Sequence, residues 1–189
     1  MRFVRTRRTA LIAVPLALAV MSMPAAAATE SSSIVGARAT VQDATGTTLG
    51  SVTLVAANGK LVIAGRLAGL TPGFHGFHIH SVGVCEAPFT TAGGHLNPAG
   101  TTHGHHAGDL PSLSVANDGV AAAIVEIDSV TLAQILDADG AAFIVHALPD
   151  NFANIPTRYE AAGIPGPDAA TLATGDSGAR VACGVITPL

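Results

Sequence analysis

The chain has 189 residues, of which 12% are charged, 49% hydrophobic and 4% aromatic, with 21 Gly, 11 Pro, 8 His and 2 Cys. So little charge and so many turn formers exclude a coiled coil and an acidic disordered tail, and the length fits one domain of roughly 100–200 residues. Without residues 1–28 the chain would keep five basic against thirteen acidic side chains, a net charge of −8; a nucleic-acid partner is excluded, because phosphate binding needs a basic face.

In chain order the first element is a targeting segment. Arg2 to Arg8 is basic, Ala10 to Val20 apolar, and Met23-Pro24-Ala25-Ala26-Ala27-Ala28 a small-residue cleavage site, the three parts of an export signal. The apolar run is about half the roughly 20 residues needed to span a bilayer, so no stable membrane anchor is expected. Thr6-Arg7-Arg8 leaves the twin-arginine route open beside the general one, and no Cys near the cleavage site is placed for lipid attachment. The mature domain, 29–189, is therefore expected to be exported, whether periplasmic, cell-wall associated or secreted. Those compartments are oxidising, so Cys85 and Cys183 are expected to pair; in a cytosolic chain the default would be two buried thiols.

From Ser33 onward short runs of Val, Ile, Thr and Leu alternate with turn signals, and no long helical period appears, so the pattern is all-β. Strands are expected at Ile34 to Gln42, Leu49 to Ala56 and Lys60 to Leu67, the last two joined through Asn58-Gly59, a hairpin signal because both residues tolerate positive φ. Leu70-Thr71-Pro72-Gly73 turns the chain into a strand over Phe74 to Ser81. Further strands are expected at Leu113 to Val115, Val120 to Ile127, Ala142 to Ala147 and Arg180 to Ile186, with one or two helical turns over Ser129 to Leu136. Eight short strands at this spacing suggest an immunoglobulin-like sandwich or a flattened barrel. Two long loops interrupt them, Val82 to Pro111 and Leu148 to Ala179, and loops of such length carry function or are disordered.

The first of those loops holds His95, His103, His105, His106 and Asp109. Beside them stands Phe77-His78-Ile79-His80 on a strand, where side chains at i and i+2 share one face about 7 Å apart. His75 is out of phase with that pair and reads as a structural, hydrogen-bonding histidine. His146 lies inside another apolar strand, Phe143-Ile144-Val145-His146, where a lone His is more often a satisfied core residue. The number of imidazoles in company points instead to metal: zinc, copper, iron or nickel suit such ligation, and Cys-type zinc fingers are excluded. There is no Gly-x-Ser-x-Gly elbow, no Walker or dinucleotide fingerprint and no His-Glu-x-x-His.

These residues resemble a known family, the copper,zinc superoxide dismutases. Gly73-Phe74-His75-Gly76-Phe77-His78-Ile79-His80 is similar to the family's first copper motif, with Gly83 and Cys85 following. Gly94-His95-Leu96-Asn97-Pro98 resembles the bridging-histidine motif and His106-Ala107-Gly108-Asp109-Leu110 the end of the zinc loop. Gly178-Ala179-Arg180-Val181-Ala182-Cys183-Gly184-Val185-Ile186 resembles the C-terminal signature, and Asp150 to Tyr159 the bacterial, actinobacterial-like branch.

The resemblance implies an eight-stranded Greek-key barrel that disproportionates superoxide to O2 and hydrogen peroxide. It implies copper at His78, His80, His95 and His146, and zinc at His95, His103, His106 and Asp109, with His95 shared. Asp150 would join a copper ligand to a zinc ligand, His78 to His103, and Arg180 would draw the superoxide anion to copper. The resemblance allows a homodimer. One departure concerns the zinc loop, because His103 and His106 stand only three apart and must both turn inward through Gly104 and His105; His105 could replace either neighbour or be solvated. A copper store on the same fold would keep the histidines but would have no need of Arg180 or Asp150.

Overall fold

The computed structural model describes residues 36–189. The export signal, and Ile34 where the first strand was expected to begin, lie outside the described residues. Strands β1 (Gly36–Asp43), β2 (Thr48–Ala57) and β3 (Lys60–Ala68) form a meander. Asn58 and Gly59, at φ 52° and 78°, make the two-residue turn that sets Ala57 opposite Lys60. Such a turn twists with the flanking strands, which is why it closes hairpins. Side chains alternate strictly: Ala37, Ala39 and Val41 of β1, Val52 and Leu54 of β2, and Leu61, Ile63 and Leu67 of β3 point into one apolar core.

The strand expected over Phe74 to Ser81 is two strands, β4 (Gly73–His75) and β5 (Phe77–His80), broken at Gly76. A Cβ at Gly76 would lie 2.5 Å from Ser177 Oγ, so the chain crosses there under another loop with no room for a side chain. Next come β6 (Leu113–Val115), β7 (Val120–Ile127), β8 (Ala142–His146), a small hairpin β9 (Glu160–Ala161) and β10 (Ile164–Pro165), β11 (Arg180–Val185) and β12 (Thr187–Pro188). The main sheet is antiparallel, in the order β4-β6-β7-β3-β2-β1-β11-β8-β5, with β12 beside β1. Its two edges, β4 and β5, are consecutive in the chain, so the break at Gly76 nearly closes the sheet into a Greek-key barrel. The expected helical turn is α1 (Leu132–Ile135), capped reciprocally by Thr131 and Gln134.

Strand β8 fixes where the chemistry sits. Phe143 and Val145 face the barrel core with Phe77 and Ile79, while Ala142 and Ile144 face outward and are covered by Phe89, Ala92 and Cys183. The same alternation sends His78, His80 and His146 to the outer face, beneath the two long loops. Cys85 and Cys183 form a disulfide there, joining residues 98 apart in sequence. Closing a loop of that length contributes at most roughly 4–5 kcal/mol in the chain-entropy model. Cys85→Ser should therefore lower the thermal midpoint by several degrees, measured by calorimetry on the mature protein; an unchanged midpoint would show that the loop is held by packing alone. No helix among the described residues is long and apolar enough to cross a membrane.

Candidate metal centre

The register of β5 and β8 pairs His78 with Ile144 and His80 with Ala142, and β11 sets Arg180 opposite His146. A bridge between His80 and His95, and another between His78 and Asp109, dock the first long loop on this strand. As a result one ring nitrogen each from His78, His80, His95 and His146 lies within 4.8 Å of the other three. A second group, His95, His103, His106 and Asp109, meets the same criterion, and His95 belongs to both.

Hydrogen bonds settle which nitrogens carry protons. His80 Nδ1 faces the Gly93 carbonyl at 2.9 Å and His146 Nδ1 the Gly178 carbonyl at 3.1 Å. Carbonyls only accept, so each Nδ1 holds the hydrogen and each Nε2 a lone pair. Those two Nε2 atoms face one another at 3.4 Å, two lone pairs that a shared cation would reconcile. His78 donates from Nε2 to Asp150 Oδ2 at 2.7 Å. Its Nδ1 is the one buried side-chain N or O atom, among the described residues, with no partner. Burial holds the imidazole of His80 down to about 2 and that of His146 down to about 3, and it also lowers His78. All three stay neutral, which is the form that binds metal.

The second group is organised around a carboxylate. Asp109 Oδ2 accepts the backbone N–H groups of Gly104 at 2.7 Å and His106 at 3.0 Å. Its Oδ1 meets the Nδ1 atoms of His95 at 2.9 Å, His103 at 3.2 Å and His106 at 3.2 Å. Three imidazole nitrogens and one carboxylate oxygen are a normal closed zinc set. Burial works against the Asp109 charge, yet its bonds to His103 and His95 hold the carboxyl far below the usual range. For His103, burial likewise works against the charged form, but Asp109 and Asp150 push the imidazole up to about 9. The bend between His103 and His106 is made at Gly104, with φ 87°, where a Cβ would lie 2.7 Å from the Phe152 carbonyl oxygen. His105 points to solvent.

Asp150 joins the two groups, accepting from His78 on Oδ2 and from His103 Nε2 on Oδ1 at 2.8 Å, with Phe152 N–H at 2.7 Å. Burial opposes its charge as well, and the His103 and His78 bonds lower it. Such outer partners fix ring orientation and tautomer. His75 lies apart from both groups, bonding the carbonyls of His146 at 2.7 Å and Thr71 at 2.8 Å.

His80, His95 and His146 also line an open cleft of about 530 Å³ that contains Arg180 as its one cation and Asp176 as its one acid. The guanidinium donates to the Phe89 carbonyl at 2.5 Å and the Gly93 carbonyl at 2.6 Å. Two of its five N–H groups are thereby used, and burial lowers its pKa. Sequence reasoning passed over these two carbonyl anchors, because a main-chain oxygen leaves no mark in a sequence, and it also passed over Asn151 and Asp176.

The fold and site are those of a histidine-rich β-barrel whose two neighbouring ligand groups share one imidazole. Residues 48–186 match the family model for copper/zinc superoxide dismutase, and the chain belongs to that family. It is 46% identical over 157 residues to a Cu-Zn superoxide dismutase of Mycobacterium bovis, over 75% of this chain and 65% of that relative, so it spans just under two thirds of the relative's length. The Cu-Zn superoxide dismutase of Caulobacter vibrioides is 38% identical over 164 residues, covering 79% of this chain and 84% of the relative. The crystal structure of a double mutant of a SOD-like protein from Bacillus subtilis superposes with a TM-score of 0.64 at 34% identity, covering 78% of this chain and 94% of that one.

Proposed function

We propose that the chain disproportionates superoxide, one anion leaving as O2 after giving up an electron and a second leaving as hydrogen peroxide after taking one electron and two protons. The observation that carries this reading is the presence, in one open cleft, of three histidines of the four-histidine group together with an anchored arginine. Copper when bound supplies a reversible one-electron couple, and zinc, with no second accessible oxidation state, supplies fixed charge. Copper is assigned to His78 Nδ1, His80 Nε2, His146 Nε2 and His95 Nε2. Zinc is assigned to the Nδ1 atoms of His95, His103 and His106 and to Asp109 Oδ1.

The protein's own part follows from its residues. Arg180, held by two carbonyls, keeps its remaining N–H groups for an anion in the cleft, and a local positive field steers such an anion in a chain of net negative charge. His95 lines the cleft and turns Nδ1 to Asp109, so its Nε2 would be the atom available to hold copper or to carry one of the two protons that peroxide needs, the other coming from water. Asp150 holds the rings of His78 and His103 in one tautomer. Superoxide loss, followed optically on protein of measured metal content, tests the reading. Activity should track copper, and an anomalous-scattering or elemental measurement should find one zinc per chain; copper alone at full activity would overturn the zinc assignment.

Residues 1–28 are proposed as an export signal and 29–189 as the mature domain, a reading supported by the disulfide and by the basic, apolar and small-residue order of the leader. Mass spectrometry of the extracytoplasmic protein should find an N-terminus near Thr29; Met1 retained there would contradict it. Sedimentation of the same material decides between a monomer and the homodimer that the family resemblance allows.

A further inference from the structure

We propose that Asp176 is a positioning residue that latches the second long loop over the Asp150–His103 hydrogen bond and so controls how long the second metal group keeps its ion. The proposal rests on the reading that His95, His103, His106 and Asp109 hold zinc, and it concerns a residue outside both ligand groups.

The short helix α2 (Thr171–Thr174) lies directly on the metal loop, where the backbone N–H of His103 donates to the Leu172 carbonyl at 2.8 Å. The following residue, Gly175, sits against the Asp150–His103 contact. A Cβ at that position would lie 2.0 Å from Asp150 Oδ1 and 2.3 Å from His103 Nε2, so only glycine lets the main chain cover this hydrogen bond. The Gly175 carbonyl in turn accepts from Asn151 N–H at 2.9 Å.

Asp176 closes the arrangement. Its Oδ2 accepts from Asn151 Nδ2 at 2.6 Å and from the Thr171 hydroxyl at 2.9 Å. One carboxylate oxygen thus ties the strand-side end of the loop, next to Asp150, to the start of α2. The Asn151 contact is the firmer half, because the single Thr171 hydrogen is also within reach of Asp168 Oδ1 at 3.1 Å. Both donors land on the same oxygen, so an amide in place of the carboxylate keeps both bonds, and the latch does not need the charge.

Asp176 has φ 56°, a backbone conformation that Asp, Asn and Gly adopt more readily than Ala. Asp176→Gly therefore removes the latch without adding strain, and Asp176→Asn keeps it. The experiment loads the mature protein with zinc alone, measures zinc per chain, and follows release to a colorimetric chelator. Asp176→Gly should bind one zinc and release it about five- to tenfold faster than the parent, at or below the low end of the roughly 10–100-fold range for losing a group bonded directly to a ligand, because Asp176 acts one bond further out. Asp176→Asn should stay within about twofold. Asn151→Ala, which breaks the firmer half and leaves residue 176 intact, should also speed release. Release from Asp176→Gly as slow as from the parent, or from Asp176→Asn as fast as from Asp176→Gly, overturns the latch and leaves the zinc assignment standing. A parent protein that takes up no zinc overturns both.

Discussion

His146→Ala should abolish superoxide dismutation, with the rate per chain falling by more than about a hundredfold and copper retained through dialysis falling with it. The removed imidazole donates one of the two Nε2 lone pairs that face each other at 3.4 Å, and nothing nearby can take its place. Both cysteines are committed to the disulfide, Asp150 to His78 and His103, Asp109 to the other group, and Asp176, the acid of the cleft, to Asn151 and Thr171. Loss of outer partners alone typically costs 10–100-fold in metal affinity or activity, so loss of a ligand should exceed that range. The β8 main chain should survive, because His146 N–H donates to the Gly76 carbonyl at 2.8 Å whatever the side chain. Full activity with full copper in this variant would refute the four-histidine assignment.

Arg180→Glu should slow dismutation about 10- to 1000-fold, the range that electrostatic steering commands, while copper per chain stays near that of the parent. The substitution places a second acid in a cleft whose one acid is Asp176, and it touches no ligand. The parent rate should fall with added salt, and the Arg180→Glu rate should rise, since screening weakens repulsion as it weakens attraction. Arg180→Lys should fall between the two, because it keeps the charge but cannot span the Phe89 and Gly93 carbonyls with a planar fork. Unchanged activity and salt dependence in Arg180→Glu would show that the residue serves only to pack the loop.

The barrel strands were legible because a period of two and Asn-Gly-type turns are local signals. Lys60 to Leu67 was expected and Lys60–Ala68 is found. Gly76 was not legible as a break, since the reason for it is Ser177, a hundred residues further on. The two-residue strands β9, β10 and β12 are likewise set by tertiary pairing and have no periodic signature. At the site, the shared face of His78 and His80 follows from alternation alone. That His95, His103, His106 and Asp109 should meet in space was carried by resemblance, because no local rule brings loop residues together. The structure brings them together through backbone bonds to Asp109 Oδ2, a use of the carboxylate that spacing does not reveal.

The Gly93 carbonyl oxygen receives both His80 Nδ1 and Arg180 Nη2, and its residue, at φ 74°, has no space for a side chain, a Cβ there lying 2.8 Å from Ser81 Oγ. A single peptide group is thus the common abutment of His80, a proposed copper ligand, and of Arg180, the proposed guide for the anion. Its two lone pairs serve both donors, so a shift of that peptide moves the His80 ring and the Arg180 side chain together. If the proposed copper and anion roles hold, changes made in residues 89–93 to retune the one should therefore also shift the aim of Arg180. Variants selected for a shifted potential should carry a matching change in anion capture, even where every ligand and Arg180 itself are left as they are.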